Sequence, residues 1–202
     1  MALYNRIDRR SRSRSAASPT AAAASAFDGQ GSCGNGAAMR VAPLGAYFVG
    51  DPARVAREAE LSAEIAHPHP EGIAGAVAVA LAAGPGITAR DLLGAVLGQM
   101  AESQVGQGIA KAAGLLGCAT AEAAYQLGNG ARVTAQDTVP FTLWVAATRI
   151  DDYAAAITAC VEAGGNHFRA GNRGYFLEKS FGGGSECVRI DLGSAAVRIL
   201  HL

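Results

Sequence analysis

The sequence predicts an all-α fold, and three observations predict it. Alanine and other small apolar residues dominate a chain that is 50% hydrophobic and only 6% aromatic. These residues recur at helical spacing in segment after segment. Asp-Pro, Pro-Glu and Gly-Asn-Gly strings stand where such segments would start and stop. Scarce aromatic residues argue against a β-sandwich. The 202 residues suffice for one domain with a real core. A formal net charge of zero does not point to a nucleic-acid or a membrane partner. Cys33, Cys118, Cys160 and Cys187 are widely spaced, without a CxxC pair, so neither a zinc site nor a disulfide framework is expected. A reducing, cytoplasmic setting suits them. The arginine-rich start lacks the apolar stretch of a secretory leader. The longest apolar run, IAGAVAVALAAG, is too short to span a bilayer.

Taken in order, residues 1–26 form the first segment. Arg6, Arg9, Arg10, Arg12 and Arg14 lie among serines, and an Ala/Ser/Pro/Thr stretch follows. Like charges repel and little can be buried, so a disordered tail is expected. With no interleaved aromatic to stack on bases, a solvated tail is preferred to an RNA-binding arm. Residues 27–36, FDGQGSCGNG, concentrate glycine immediately before helix-forming text. Ordering so much glycine is costly, so the stretch is either a tight connection or a place of close backbone approach.

Helical text begins with AAMRVAPLGAYF. DPARVAREAELSAEIAH has Asp51 as N-cap and Pro52 in the first turn, with Val55, Ala59, Ser62 and Ala66 along one face. Pro70 and Glu71 open the next helix, whose small residues allow close packing; His69 belongs to the same helix start. TARDLLGAVLGQM carries an imperfect capping box, Thr88 and Asp91. TAEAAYQLGNG stops at a second Gly-Asn-Gly, Gly128–Gly130. DTVPFTLWVAATR and DDYAAAITACVEAGG complete the helices, with Asp137 and Asp151 as expected caps. Cys118 and Cys160 are expected to be small buried apolar residues. Beyond Gly165 the alanine-rich period is lost, and CVRIDL and AAVRIL around a Gly-Ser predict a weak C-terminal β-hairpin.

Several of these strings occur together and in a specific order: GQGSCGNGAAMRVAPLGAYF, AELSAEIAHPHPEGIAGAVAVA, LGNGARVTAQDTVPFTLWVAA and DDYAAAITACVEAGG. Together they resemble the ADP-ribosylglycohydrolase family over roughly Phe27 to Gly165. The resemblance implies an orthogonal multi-helix globule, incomplete in this chain, with a cleft for ADP-ribose. It implies hydrolysis of the ribose C1″ glycosidic bond of ADP-ribosylated substrates, assisted by two Mg²⁺ ions. The implied partner is ADP-ribose or an ADP-ribosylated protein, with no nucleic acid and no membrane. Gly31, Ser32, Gly34, Asn35 and Gly36 would line a phosphate cradle, where backbone N–H groups can reach oxygens unhindered. Phe27 would offer an aromatic face to adenine. Cys33 replaces the usual second aromatic, which would weaken adenine binding by roughly 0.5–1.5 kcal/mol. His67 would lie beside the ligand rather than only cap its helix, and Arg40 would brace the loop from below. Asn129, Gly130 and Ala131, after Gly128, would stand near the nucleotide, an expectation weighed equally against an ordinary helix stop. Asp137 is expected to cap a helix rather than to catalyse.

The family's metal ligands have no counterpart in this text. Upstream of Phe27 no Thr-Asp-Asp appears, and Asp8 is the one carboxylate. After Gly164-Gly165, where an Asp-x-Asp-Thr run is expected, the chain reads Asn166-His167-Phe168-Arg169. An amide, a ring and a guanidinium do not replace aspartates in an octahedral magnesium site. No catalytic and no metal residue is therefore assigned. The break in composition coincides with this loss, which favours an altered reading frame over a diverged segment for residues 166–202. Three functions follow: a family hydrolase with impaired or absent activity, an ADP-ribose-binding module, or a non-functional fragment.

Overall fold

The computed structural model describes the backbone of residues 18–83, 89–164, 168–171, 174–181, 184–191 and 196–201, and side chains over 18–83 and 91–164. The arginine-rich start, the Thr88 half of the capping box, and Asn166 and His167 lie outside the described residues.

Helix α1 (Pro19–Gly29) begins within the alanine stretch set apart as a tail, where the Ser18 hydroxyl accepts from the Ala21 N–H. It kinks at Ala26–Asp28, and none of its residues is buried. The short helices α2 (Gly36–Arg40) and α3 (Ala42–Tyr47) follow the glycine turn. In α4 (Pro52–Glu64), Asp51 caps as expected by accepting from the Arg54 N–H. The inward face differs from expectation: it is Val55, Ala59 and Ala63. The helix ends at Glu64, which leaves Ala66 exposed.

Two helices form the centre. In α5 (Pro70–Ala82) every residue from Gly75 to Leu81 is buried, and in α9 (Ala135–Thr148) every residue from Thr138 to Ala147 is buried. A helix enclosed on all sides has no polar stripe to show, which is why neither segment is strongly amphipathic in sequence. Helices α2, α3, α4 and α6 (Ala89–Leu97) pack on α5. Helices α7 (Gln104–Gly114), α8 (Thr120–Leu127) and α10 (Tyr153–Ala163) pack on α9. Small residues set how closely they meet. A Cβ on Gly75 would lie 2.7 Å from the Ala135 Cβ, and one on Gly108 would lie 2.5 Å from the Pro140 Cγ. Trp144 closes the α9 side, with its ring stacked near Phe141 at 5.8 Å and its indole N–H donating to the Leu115 carbonyl at 2.8 Å.

Between residues 18 and 164 the described residues form an all-α array, as expected. Beyond it the backbone is assigned to four antiparallel strands in sequence order: β1 (Phe168–Gly171), β2 (Gly174–Phe181), β3 (Gly184–Asp191) and β4 (Ala196–His201). Val188 pairs with Ile199 and Leu177 with Val188. Among the described residues, no helix is long and apolar enough to cross a membrane.

Candidate functional site

The two glycine turns, distant in sequence, meet at the start of α9. The first runs from Gly31 to Gly36. Its entry needs glycine: Gly31 has φ +74°, and a Cβ there would sit 2.6 Å from the Pro68 ring and 2.9 Å from the His69 nitrogen. Gly34 forms an antiparallel bridge with Thr134. The Asn35 N–H donates to the Val133 carbonyl at 3.0 Å, and the Ala135 N–H donates to the Cys33 carbonyl at 2.9 Å. The Asn35 side chain, 2% exposed, donates to the Thr138 hydroxyl at 3.0 Å. A buried amide without that acceptor would carry a desolvation penalty, so the pairing fixes the first turn to α9.

The second turn is tied to the same helix start. Gly128 ends α8 at φ +100°, and the Gly130 N–H donates to the Asp137 carbonyl at 3.0 Å. The Arg132 N–H donates to the Asp137 carboxylate at 2.9 Å. Asn129 accepts from the Ala131 N–H at 3.2 Å and donates to the Ala163 carbonyl at 3.3 Å, which also joins the turn to the end of α10. Asp137 is therefore not the N-cap. Helix α9 starts three residues earlier, at Ala135 with Thr134 as N-cap, and Asp137 lies in its first turn, accepting from the loop. Likewise Asp152 caps α10, accepting from the Ala155 N–H, where Asp151 was expected.

His67 lies on the first turn. A Cβ on Gly36 would be 2.8 Å from its ring, and one on Gly34 would be 3.1 Å from it. Its Nδ1 is buried without a partner. Burial lowers its pKa below the ordinary 6.5, and the Arg40 guanidinium lowers it further, so the neutral ring prevails at neutral pH. Arg40 braces the loop as expected, donating to the Ser62 carbonyl at 3.0 Å and to the Gly36 carbonyl at 3.4 Å. Phe27, at the kink of α1, is 70% exposed with φ +53°.

The turns use much of their own backbone. Of the expected cradle, the N–H of Gly31 donates to Ala26, that of Gly34 to the Ser32 hydroxyl and that of Asn35 to Val133. Ser32 and Gly36 keep N–H groups without a backbone acceptor. Beside the second turn an open cavity of about 670 Å³ is lined by Tyr125, Asn129, Ala131, Arg132, Gln136 and Glu162, among others. None of residues 31–36 lines it, nor does His67.

The sequence marks Glu71 only as a helix-start residue; in the structure it does more. It is 7% exposed, and its carboxylate accepts from the N–H groups of Gln104 and Val105 at 2.8 and 2.9 Å. It thus caps α7 from the first turn of α5, a match for the positive end of the α7 dipole. His69 caps α5 itself, accepting from the Glu71 N–H. Cys118 is exposed rather than buried, because it lies beyond the end of α7 in the turn before α8, while Cys160 is buried.

A pair of magnesium ions does not fit the described residues. Asp137, whose carboxylate meets the second turn, accepts from the Arg132 N–H, and no three His, Cys, Asp or Glu side chains converge among the described residues. An octahedral site needs several oxygen ligands.

The family described as ADP-ribosylglycohydrolase matches residues 2–168 of the chain. Comparison with curated proteins gives no match.

Proposed function

The chain belongs to the ADP-ribosylglycohydrolase family, and we propose that it binds ADP-ribose, free or on a modified protein, with hydrolysis impaired or absent. The observation that carries the reading is the junction of the two glycine turns on α9, with His67 seated on the first. The pyrophosphate would take the N–H groups left at Ser32 and Gly36. The neutral His67 ring would exchange hydrogen bonds with a ribose hydroxyl, since a neutral imidazole both donates and accepts. Phe27 offers an uncovered ring to adenine, and Cys33 contributes no stacking partner, so affinity should be modest. Asn129 and Ala131 would flank the ligand from the second turn. No hydrolytic step is assigned, because among the described residues the donor set does not suit the metal pair that the family's chemistry uses.

Calorimetric titration with ADP-ribose tests the reading, with a parallel assay of ADP-ribosyl-arginine cleavage across a magnesium series. Heat of binding with no cleavage at any magnesium concentration is the expected result. Cleavage that rises with magnesium would show a competent metal site and overturn the assignment of lost activity. Absence of binding heat, together with no ligand-induced thermal shift, would leave only the non-functional fragment.

A further inference from the structure

All non-glycine residues with positive φ among the described residues, Phe27, Asp28 and Val133, flank the two glycine turns. Val133 is the telling one. It is β-branched with φ +58°, a region that such residues avoid because their Cβ substituents crowd the backbone. Its side chain is 47% exposed, so packing does not hold it there. Backbone hydrogen bonds do: Val133 accepts from Asn35, donates to Gly130 at 3.1 Å, and precedes the Thr134 bridge to Gly34. Strain of this kind persists only where surrounding contacts over-determine it, and it concentrates at ligand clamps.

We propose that the joint between the two glycine turns is a sprung clasp, closed by the Asn35–Val133 and Ala135–Cys33 hydrogen bonds against strain at Val133. Opening the clasp lets Val133 return to extended backbone, so the strain favours opening. Val133 is thus a positioning residue for the candidate site, a role that rests on the ADP-ribose reading only for what the clasp holds.

The test is amide hydrogen exchange at Asn35 and Ala135 in the full chain, comparing wild type with Val133→Asn. Asparagine tolerates the left-handed region, so the closed clasp relaxes without the added backbone freedom of glycine. Exchange at both amides should slow by roughly 5- to 100-fold while core amides in α5 change little. Val133→Gly is the second variant, with a smaller slowing because glycine also favours the open state. Exchange at Asn35 and Ala135 that is unchanged or faster in Val133→Asn would overturn the clasp. ADP-ribose binding is followed on the same proteins. Loss of binding in all of them would sink the nucleotide reading alone, because the exchange rates decide the clasp without ligand.

Discussion

Asn35 and His67 shape the first glycine turn in different ways. Asn35 spends both its backbone and its side-chain N–H on the α9 start, across 103 positions for the Thr138 contact. His67 spends nothing on its Nδ1, which is buried and unpaired. A neutral ring tolerates this; a charged one between the turn and Arg40 does not. The folded pKa is lowered below 6.5, so between the two values the unfolded chain binds the proton that the folded chain refuses. Stability from this group is complete above pH 6.5 and declines as pH falls toward the folded pKa. Denaturant unfolding of wild type and His67→Asn at pH 7.5 and pH 5 checks it. The wild type should lose more stability between the two pH values than the variant. Arg40→Gln should raise the His67 pKa in an NMR titration. Equal pH dependence in wild type and His67→Asn would deny the ring its buried, neutral character. The close backbone approach at the first turn and the brace from Arg40 were legible in sequence. The use of Glu71 was not, since its carboxylate binds the backbone of another helix, at Gln104 and Val105; that of Asp137 was not because α9 already starts at Ala135, which leaves the carboxylate to accept from the preceding loop at Arg132.

At the scale of elements, caps and close approaches decide what forms. Asp51-Pro52, Pro70 and the Gly-Asn-Gly stop were readable because their chemistry is local. Helix α7 gives a weaker signal in sequence. SQVGQGIAKAAG has two glycines inside it and a narrow apolar face, though Ser103, whose hydroxyl accepts from the Gly106 N–H, was an available start signal. What steadies α7 besides Ser103 is Glu71 from another helix and the seat that Gly108 makes against Pro140. Two glycine substitutions separate packing from propensity. In α3, a Cβ on Gly45 would lie 2.0 Å from the Ala80 carbonyl oxygen, which belongs to backbone and cannot swing aside. Gly45→Ala should destabilise by about 3 kcal/mol, the upper range for overpacking. In α6, Gly94 is exposed with nothing within 4 Å of an added Cβ. Gly94→Ala should stabilise by roughly 0.5–1 kcal/mol, the helix preference of alanine. Denaturation midpoints of the two variants should move in opposite directions; a midpoint for Gly45→Ala that does not fall would contradict the α3–α5 contact.

For the whole molecule, the helical class was legible, and the placement of helices was not. Alanine-rich text says that helices pack closely, but it does not say that α5 and α9 lie innermost, since both lack a polar stripe for the same reason. That enclosure makes the two helices the shared support of nearly every other. The glycine turns hang from one of them, so the candidate site should exist only while the core does. Trp144, 1% exposed in α9, is the sole tryptophan and reports on that core. Its fluorescence and the far-UV ellipticity should fall at the same denaturant concentration if the helices form one cooperative unit. A fluorescence transition that precedes loss of ellipticity would describe helices that outlast their packing, as in a molten globule. ADP-ribose, if bound by the folded chain alone, should then raise the fluorescence midpoint, because ligand affinity adds to the stability of the state that holds the turns together.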